Sequence, residues 1–250
     1  MKLSDAAALR RRWTADRLVA LREQIQAQSR IVKGPHRFET DWSRTDEGRL
    51  DLRGLSAGRD GLQFRFVTVS DVDFRLARGR LLFFESELTD CLFDLVSLSG
   101  QPRFDRRLVR CSFQGAMMRR LAIGTQVTEC DFADADLRSL RSLPNTRFER
   151  CVFDGADLSG AEFADTAFVD CTFVGTGFSA GTSFTRCAFV NSPLTLGLTR
   201  LTRSTFDGVL LPDRWEGEAQ SDAALVAYAQ RYAIAAAAGD ADDLPGDPAR

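Results

Sequence analysis

Several residue types are scarce in this 250-residue sequence, and the shortages exclude some classes of function. His36 is the only histidine, so a Ser/His/Asp or Cys/His catalytic pair would depend on it, and no supporting motif surrounds it. P-loop, GxGxxG and HExxH motifs are missing. No apolar run is long enough to span a membrane, and the first residues lack the apolar segment of a signal peptide. We therefore expect a soluble cytoplasmic protein that is not an enzyme and needs no cofactor.

The six cysteines follow one another at nearly equal intervals. They are separated by 20, 19, 21, 20 and 16 residues and are Cys91, Cys111, Cys130, Cys151, Cys171 and Cys187. Metal sites use short paired spacings such as CxxC, and none occurs here, so we predict no metal site. A disulfide framework fits the count but not a reducing cytoplasm. The near-equal spacing instead indicates an internal repeat.

A second period, of five residues, runs through the same region. A large apolar residue recurs at every fifth position, with a small residue two positions before each. The large residues are Phe148, Phe153, Leu158, Phe163, Phe168, Phe173 and Phe178. A helix would smear this pattern around its circumference, and a plain strand would send successive aromatics to opposite faces. A chain that turns a corner every five residues, with four sides to a coil, explains both periods.

The repeat resembles that of the pentapeptide-repeat family, whose unit reads approximately A-[DN]-[LF]-x-x. Matching units are Cys130-Asp131-Phe132, Ala135-Asp136-Leu137, Ala156-Asp157-Leu158 and Ala161-Glu162-Phe163. The resemblance covers residues 60–212 and implies a mainly β fold, a right-handed quadrilateral β-helix. Left-handed hexapeptide helices and leucine-rich repeats have other periods.

The chain divides into five segments. We predict a basic N-terminal helix in 1–33, an irregular lead-in or degenerate first coil in 34–59, the solenoid in 60–212, a C-terminal helix in 213–238 and a disordered acidic tail in 239–250. The first helix is expected over 4–28. The last carries an apolar stripe that includes Leu225, Tyr228 and Tyr232 and would cap the final coil, with homodimerisation as its alternative role.

The five-residue frame slips at Phe132, nine residues after Ile123, at Phe148, eleven after Leu137, and at Phe184, six after Phe178. The segment 138–147 contains Pro144 and one extra residue, which predicts a bulged corner. The segment 101–107 keeps the count but places Arg103 at an inward position. This indicates either a distorted corner or a wrong register.

The residue before each cysteine alternates in charge. The six residues are Asp90, Arg110, Glu129, Arg150, Asp170 and Arg186. In the inferred frame they point outward from one corner, so they should stack as a column in which opposite charges attract. We interpret this column as a structural charge ladder that fixes the register, because mixed signs display no net field to a partner.

Charge also collects in two candidate recognition patches. The basic patch comprises Arg103, Arg106, Arg107, Arg119 and Arg120. The acidic surface comprises Asp131, Asp134, Asp136, Asp154, Asp157, Glu162 and Asp165. Asp136 and Asp157 are expected to stack on one side. The arginines fall on different sides of the coil and lack interleaved aromatics, which disfavours direct nucleic-acid binding.

The resemblance implies that the protein functions by recognising a macromolecular partner. Characterised pentapeptide-repeat proteins protect type II topoisomerases from quinolones or natural poisons, and some inhibit gyrase by presenting a DNA-like acidic rod. By this resemblance the acidic residues would occupy the DNA-binding saddle of DNA gyrase or topoisomerase IV. Against a DNA-like rod, residues 60–212 hold 17 basic and 19 acidic residues, a net charge of only −2. An interaction scaffold for another protein partner is the alternative.

Overall fold

The structure, a computed structural model, describes residues 3–29, 35–58, 60–178, 181–190, 192 and 205–207. Two helices precede a long series of short strands. The elements are α1 Leu3–Arg11, α2 Ala15–Gln28, β1 His36–Arg37, β2 Leu50–Asp51, β3 Leu62–Arg65, β4 Val67–Ser70, β5 Val72–Asp73, β6 Arg78–Gly79, β7 Leu81–Phe84, β8 Glu87–Thr89, β9 Ser97–Leu98, β10 Arg103–Phe104, β11 Arg107–Val109, β12 Ala122–Ile123, β13 Gln126–Thr128, β14 Arg141–Ser142, β15 Arg147–Glu149, β16 Glu162–Ala164, β17 Ala167–Val169, β18 Ser183–Thr185, β19 Ala188–Val190 and β20 Thr205–Asp207.

The strands stack into four parallel faces. Face 1 is the sheet β1-β4-β8-β11-β13-β15-β17-β19, and face 4 is the sheet β3-β7-β10-β12-β14-β16-β18-β20. Face 2 starts with β2 and β5 and continues as single bridges from Asp73 to Thr172. Face 3 is built around β6 and β9 in the same way, from Ser56 to Gly177. Because the chain visits the four faces in turn, it forms a quadrilateral β-helix, which confirms the predicted architecture.

Each face sends one large and one small side chain inward, so the interior is a set of vertical columns. The rings of Phe132, Phe153 and Phe173 lie parallel, with successive centroids 5.1 Å apart. This separation is close to the spacing of paired strands, about 4.8 Å, so strand pairing itself brings the rings into stacking contact. On the neighbouring inner corner, Cys151 and Cys171 are buried in successive coils. The twenty-residue register is confirmed.

The corners explain why the period is five. Most corners contain a residue with left-handed backbone, and Asp90, Arg110 and Glu129 have φ of 55°, 50° and 54°. This conformation costs a non-glycine residue about 1–2 kcal/mol, which other corners avoid by using glycine, as at Gly155 and Gly175. The chain therefore turns most of its corners by the same backbone conformation.

The two irregular segments, 138–147 and 101–107, have different outcomes. A bulge is confirmed after β14, because Arg141 and Arg147 are six positions apart while their partners in the next coil, Glu162 and Ala167, are five apart. At 101–107 the predicted register is wrong, since Phe104 and not Arg103 is the inward residue. The corner that runs from β9 to β10 has one residue more than the equivalent corner of the next coil, from Met117 to Ala122.

The N-terminal segment forms two helices, so the prediction of a single helix over 4–28 is wrong. The chain leaves the helical path after α1, and Thr14 caps α2 by accepting a hydrogen bond from Arg17 N. The break turns Trp13 inward, where it stacks on Trp42 with ring centroids 5.3 Å apart. Its indole N–H donates to Arg53 O at 2.9 Å. The two helices are thereby fastened to the first coil.

The predicted C-terminal helix of 213–238, with Leu225, Tyr228 and Tyr232, and the tail of 239–250 lie outside the described residues. Within the part of the chain that is described, no helix is long and apolar enough to cross a membrane.

Candidate recognition surfaces

Five of the six predicted ladder residues stack at the corner between faces 1 and 2. Arg110 bridges to the carboxylate of Asp90 through two hydrogen bonds of 2.7 Å. Those bonds hold the pKa of Asp90 below its ordinary value. Arg150 reaches Glu129 Oε1 from Nε and Nη2 at 3.1 and 3.0 Å. Asp170 is the fifth member, one coil beyond Arg150. The ion pairs link successive coils across the corner.

Arg186 belongs to a different column, so its assignment to the ladder is wrong. Its guanidinium pairs with Asp165, at 2.5 and 2.7 Å, on the corner between faces 4 and 1. Cys187 follows Cys171 by only 16 residues, which places it one side earlier in the coil. The position above Cys171 is taken by Ser192, whose hydroxyl accepts a hydrogen bond from Cys171 N at 2.9 Å.

Four of the seven predicted acidic residues are neutralised by arginines. Asp136 and Asp157 stack on face 3, as predicted. Arg138 contacts both, at 2.8 and 3.5 Å, and Arg119 contacts Asp136 at 2.7 Å. The other two pairs are Glu162 with Arg141, at 3.1 Å, and Asp165 with Arg186. These four carboxylates cannot act as a row of uncompensated charges.

The other three acidic residues, Asp131, Asp134 and Asp154, lie together on face 2 and its corner with face 3, and we call them the acidic corner. Asp134 N donates to Asp154 O at 2.9 Å, which fixes the two residues in adjacent coils. The Asp131 carboxylate accepts a hydrogen bond from the Gln114 amide at 2.5 Å. Among the described residues, none of the three carboxylates has an ion-pair partner, and Asp134 is exposed.

The predicted basic patch is not one surface. Its members are spread as follows: Arg103 on face 4, Arg106 at the corner of faces 4 and 1, Arg107 on face 1, Arg119 on face 3 and Arg120 at the corner of faces 3 and 4. Arg103 pairs with Asp105 at 2.6 Å and Arg106 with Glu87 at 3.0 Å. The five arginines are close together in the sequence, but the coiling of the chain places them on different faces of the solenoid.

One aromatic feature was missed by the sequence analysis. Phe84 is 36% exposed on face 4, and the guanidinium groups of Arg65 and Arg103 lie 5.7 and 5.5 Å from its ring centroid. The signal was available, because Phe84 follows the inward Phe83 and therefore points outward. Its arginine neighbours come from the preceding and following coils and could not be read from local sequence.

The titratable groups in the described coils offer little chemistry. Among these residues, no cluster of His, Cys, Asp and Glu is arranged to hold a metal ion. All six cysteines are buried free thiols. Burial raises the pKa of Cys91 above its ordinary range and that of Cys187 to about 11. Thiols of this kind stay protonated and pack as small apolar groups.

Comparison with known proteins identifies the repeat. Residues 142–179 match the family described as pentapeptide repeats, in eight copies. The search of curated proteins gave no match. Similar solved structures include a trypsin-treated form of QnrB1, a plasmid-mediated fluoroquinolone resistance protein, at 14% identity over 70% of this chain and 90% of that chain with a TM-score of 0.33. Full-length QnrB1 is 18% identical over 72% and 95%, with a TM-score of 0.26. HetL, involved in heterocyst differentiation regulation in the cyanobacterium Nostoc, is 13% identical over 67% and 86%, with a TM-score of 0.22.

Proposed function

Since this chain is a pentapeptide-repeat protein, we propose that it acts without enzymatic chemistry, by presenting its outer surface to a macromolecular partner. Stacked phenylalanines fill the interior of the described coils, as Phe132, Phe153 and Phe173 illustrate. The outward positions are left for binding. Fold alone does not assign a partner, so the partner has to be argued from surface chemistry.

The acidic corner is the observation that carries the proposal. Asp154 lies in a stretch, 151–178, that contains no basic residue, and Asp131 and Asp134 lie in the preceding coil. Carboxylates that no neighbouring cation compensates attract a basic protein surface and steer its approach. A protein surface that binds DNA phosphates is basic in this way. We therefore propose a type II topoisomerase, DNA gyrase or topoisomerase IV, as the partner, which implies a bacterial cytoplasmic protein.

The paired acids limit the form of this contact. Because arginines neutralise Asp136, Asp157, Glu162 and Asp165, the charged surface is a short corner and not a rod that copies the length of a DNA duplex. The proposed contact is local. It would modulate or protect the enzyme by occupying part of the DNA path.

An interaction scaffold for another protein is the second candidate. Leu95 and Met117 are 54% and 49% exposed on the same side of the solenoid, around Gly115. Leu95 Cδ2 lies 3.0 Å from the position that a Cβ on Gly115 would take, so the Leu95 side chain packs over this glycine. Apolar contacts of this kind are typical of protein interfaces and do not require a DNA-binding partner.

A supercoiling assay with purified gyrase, with and without a quinolone, tests the first candidate. The test variant carries Asp131→Asn, Asp134→Asn and Asp154→Asn, which remove charge and keep hydrogen-bond acceptors. The matched control carries Asp136→Asn, Glu162→Gln and Asp165→Asn, which remove the same charge from paired acids. We expect the wild type and the control to inhibit or protect gyrase, and the test variant to need at least tenfold more protein.

Two results would count against the proposal. Equal loss in both triple variants would show that net charge matters and the acidic corner does not. No effect of micromolar wild-type protein on gyrase and topoisomerase IV would eliminate the topoisomerase partner and favour the scaffold. In that case Leu95→Ser and Met117→Ser should weaken binding to the partner that co-purifies from the native host.

A further inference from the structure

Face 3 has an open recess of about 630 Å³ across its first three coils. It is lined by Arg78, Arg80 and the hydroxyl groups of Ser56, Ser97 and Ser99. The recess exists because small residues occupy outward positions that carry large side chains in later coils. Ser97, for example, pairs with Met117 in the next coil.

The two arginines of the recess have no acidic partner among the described residues. Arg78 Nε donates only to Ser56 Oγ, at 3.3 Å. Higher on the same face, the situation is reversed, because Arg119 and Arg138 are both paired with Asp136. The recess is therefore the part of face 3 where positive charge is left uncompensated.

Arg80 is also held in a fixed position. Its side chain lies between two glycines from adjacent coils: a Cβ on Gly61 would come within 2.9 Å of Arg80 Cβ, and a Cβ on Gly100 within 3.2 Å of Arg80 Cδ. Arg80 Nε is buried and has no hydrogen-bond partner among the residues that the structure describes. Because Nε is enclosed, the terminal Nη groups are the donors that this fixed guanidinium can offer to an acceptor ligand.

We propose that this recess binds the phosphate group of a small phosphorylated molecule. Guanidinium groups present forked N–H donors that match phosphate oxygens, and serine hydroxyls supply further donors. The volume lies within the range of small-molecule sites, about 300–1,000 Å³. A nucleic-acid strand would need cations along the face, whereas Asp136 and Asp157 follow the recess in the coils above. The site is separate from the acidic corner and does not depend on the topoisomerase proposal.

Calorimetric titration of the full chain tests the site, with inorganic phosphate and glycerol 3-phosphate as probes at constant ionic strength. We expect saturable one-site binding that weakens at least tenfold in Arg78→Gln and in Arg80→Gln. The matched control is Arg107→Gln, which removes an exposed arginine from face 1 and should change the affinity less than twofold. Loss of the same size in the control would mean general attraction of anions and would overturn the proposal.

A second variant closes the recess without removing charge. Ser97→Met introduces the residue that the next coil already carries at the paired position, Met117, so we expect it to fold with an unchanged melting temperature and to lose phosphate binding. A twelve-nucleotide single-stranded DNA is titrated in parallel. Binding of the DNA without binding of either phosphate probe, or unchanged phosphate binding by Ser97→Met, would refute the site.

Discussion

Replacing Phe153 with alanine tests whether the stacked rings hold the coils together. The ring is fully buried between Phe132 and Phe173. It also packs edge-to-face with Phe148 and Phe168, with ring centroids 5.4 and 6.2 Å away. Truncation of a core phenylalanine to alanine costs about 3–5 kcal/mol. Strand pairing fixes the coils above and below, so the cavity cannot close and the loss should fall in the upper half of that range. This is a large share of a typical domain stability of about 5–15 kcal/mol.

Urea unfolding followed by circular dichroism measures the loss. The control is Val174→Ala, which truncates the outward residue after Phe173, 58% exposed, and should change the free energy of unfolding by less than about 0.5 kcal/mol. Because each coil contacts only its neighbours, we also expect the transition of Phe153→Ala to broaden. A loss below about 1.5 kcal/mol would refute the idea that ring stacking carries the packing between coils.

Two further predictions concern titratable groups. Burial by itself raises the pKa of Asp51, but hydrogen bonds from Arg12 and Arg53 outweigh it and hold the pKa well below its ordinary value. The carboxylate therefore stabilises the docked N-terminal helices above about pH 4, and this contribution is lost as the pH falls through the lowered pKa. The difference in free energy of unfolding between wild type and Asp51→Asn, measured by tryptophan fluorescence, should shrink from pH 5 to pH 2. A difference that stays constant over this range would contradict the assignment. Because all six thiols are buried, none should react with a disulfide reagent at pH 8 until the chain is denatured. Rapid reaction of the native protein would show that the thiol columns open to solvent.

The fold followed from the sequence where the corner device repeats without interruption. Counting in fives placed Phe173 one coil beyond Phe153, and the structure confirms this contact. Counting failed at Arg103 and at Arg186. In each case an earlier corner does not have the number of residues that the five-residue frame assumes, so the residue lies at another position of the coil. Such a change at a corner leaves the local sequence pattern unchanged.

The candidate sites were less predictable than the core. The sequence grouped seven acidic residues, and the structure separates Asp131, Asp134 and Asp154 from the four that meet arginines. The recess around Arg80 gave no local signal, because the glycines that hold this side chain, Gly61 and Gly100, belong to the coils on either side.

Where the five-residue frame runs without interruption, the sequence by itself determined which side chains point into the solenoid and which point out, because that choice depends only on position within a five-residue unit. The tertiary structure alone decided which charges meet. The partners in the ion pairs between coils, such as Arg119 with Asp136 and Arg186 with Asp165, are 17 and 21 residues apart. Whether such groups touch depends on corner lengths and side-chain conformations that the chain acquires only when its coils are stacked.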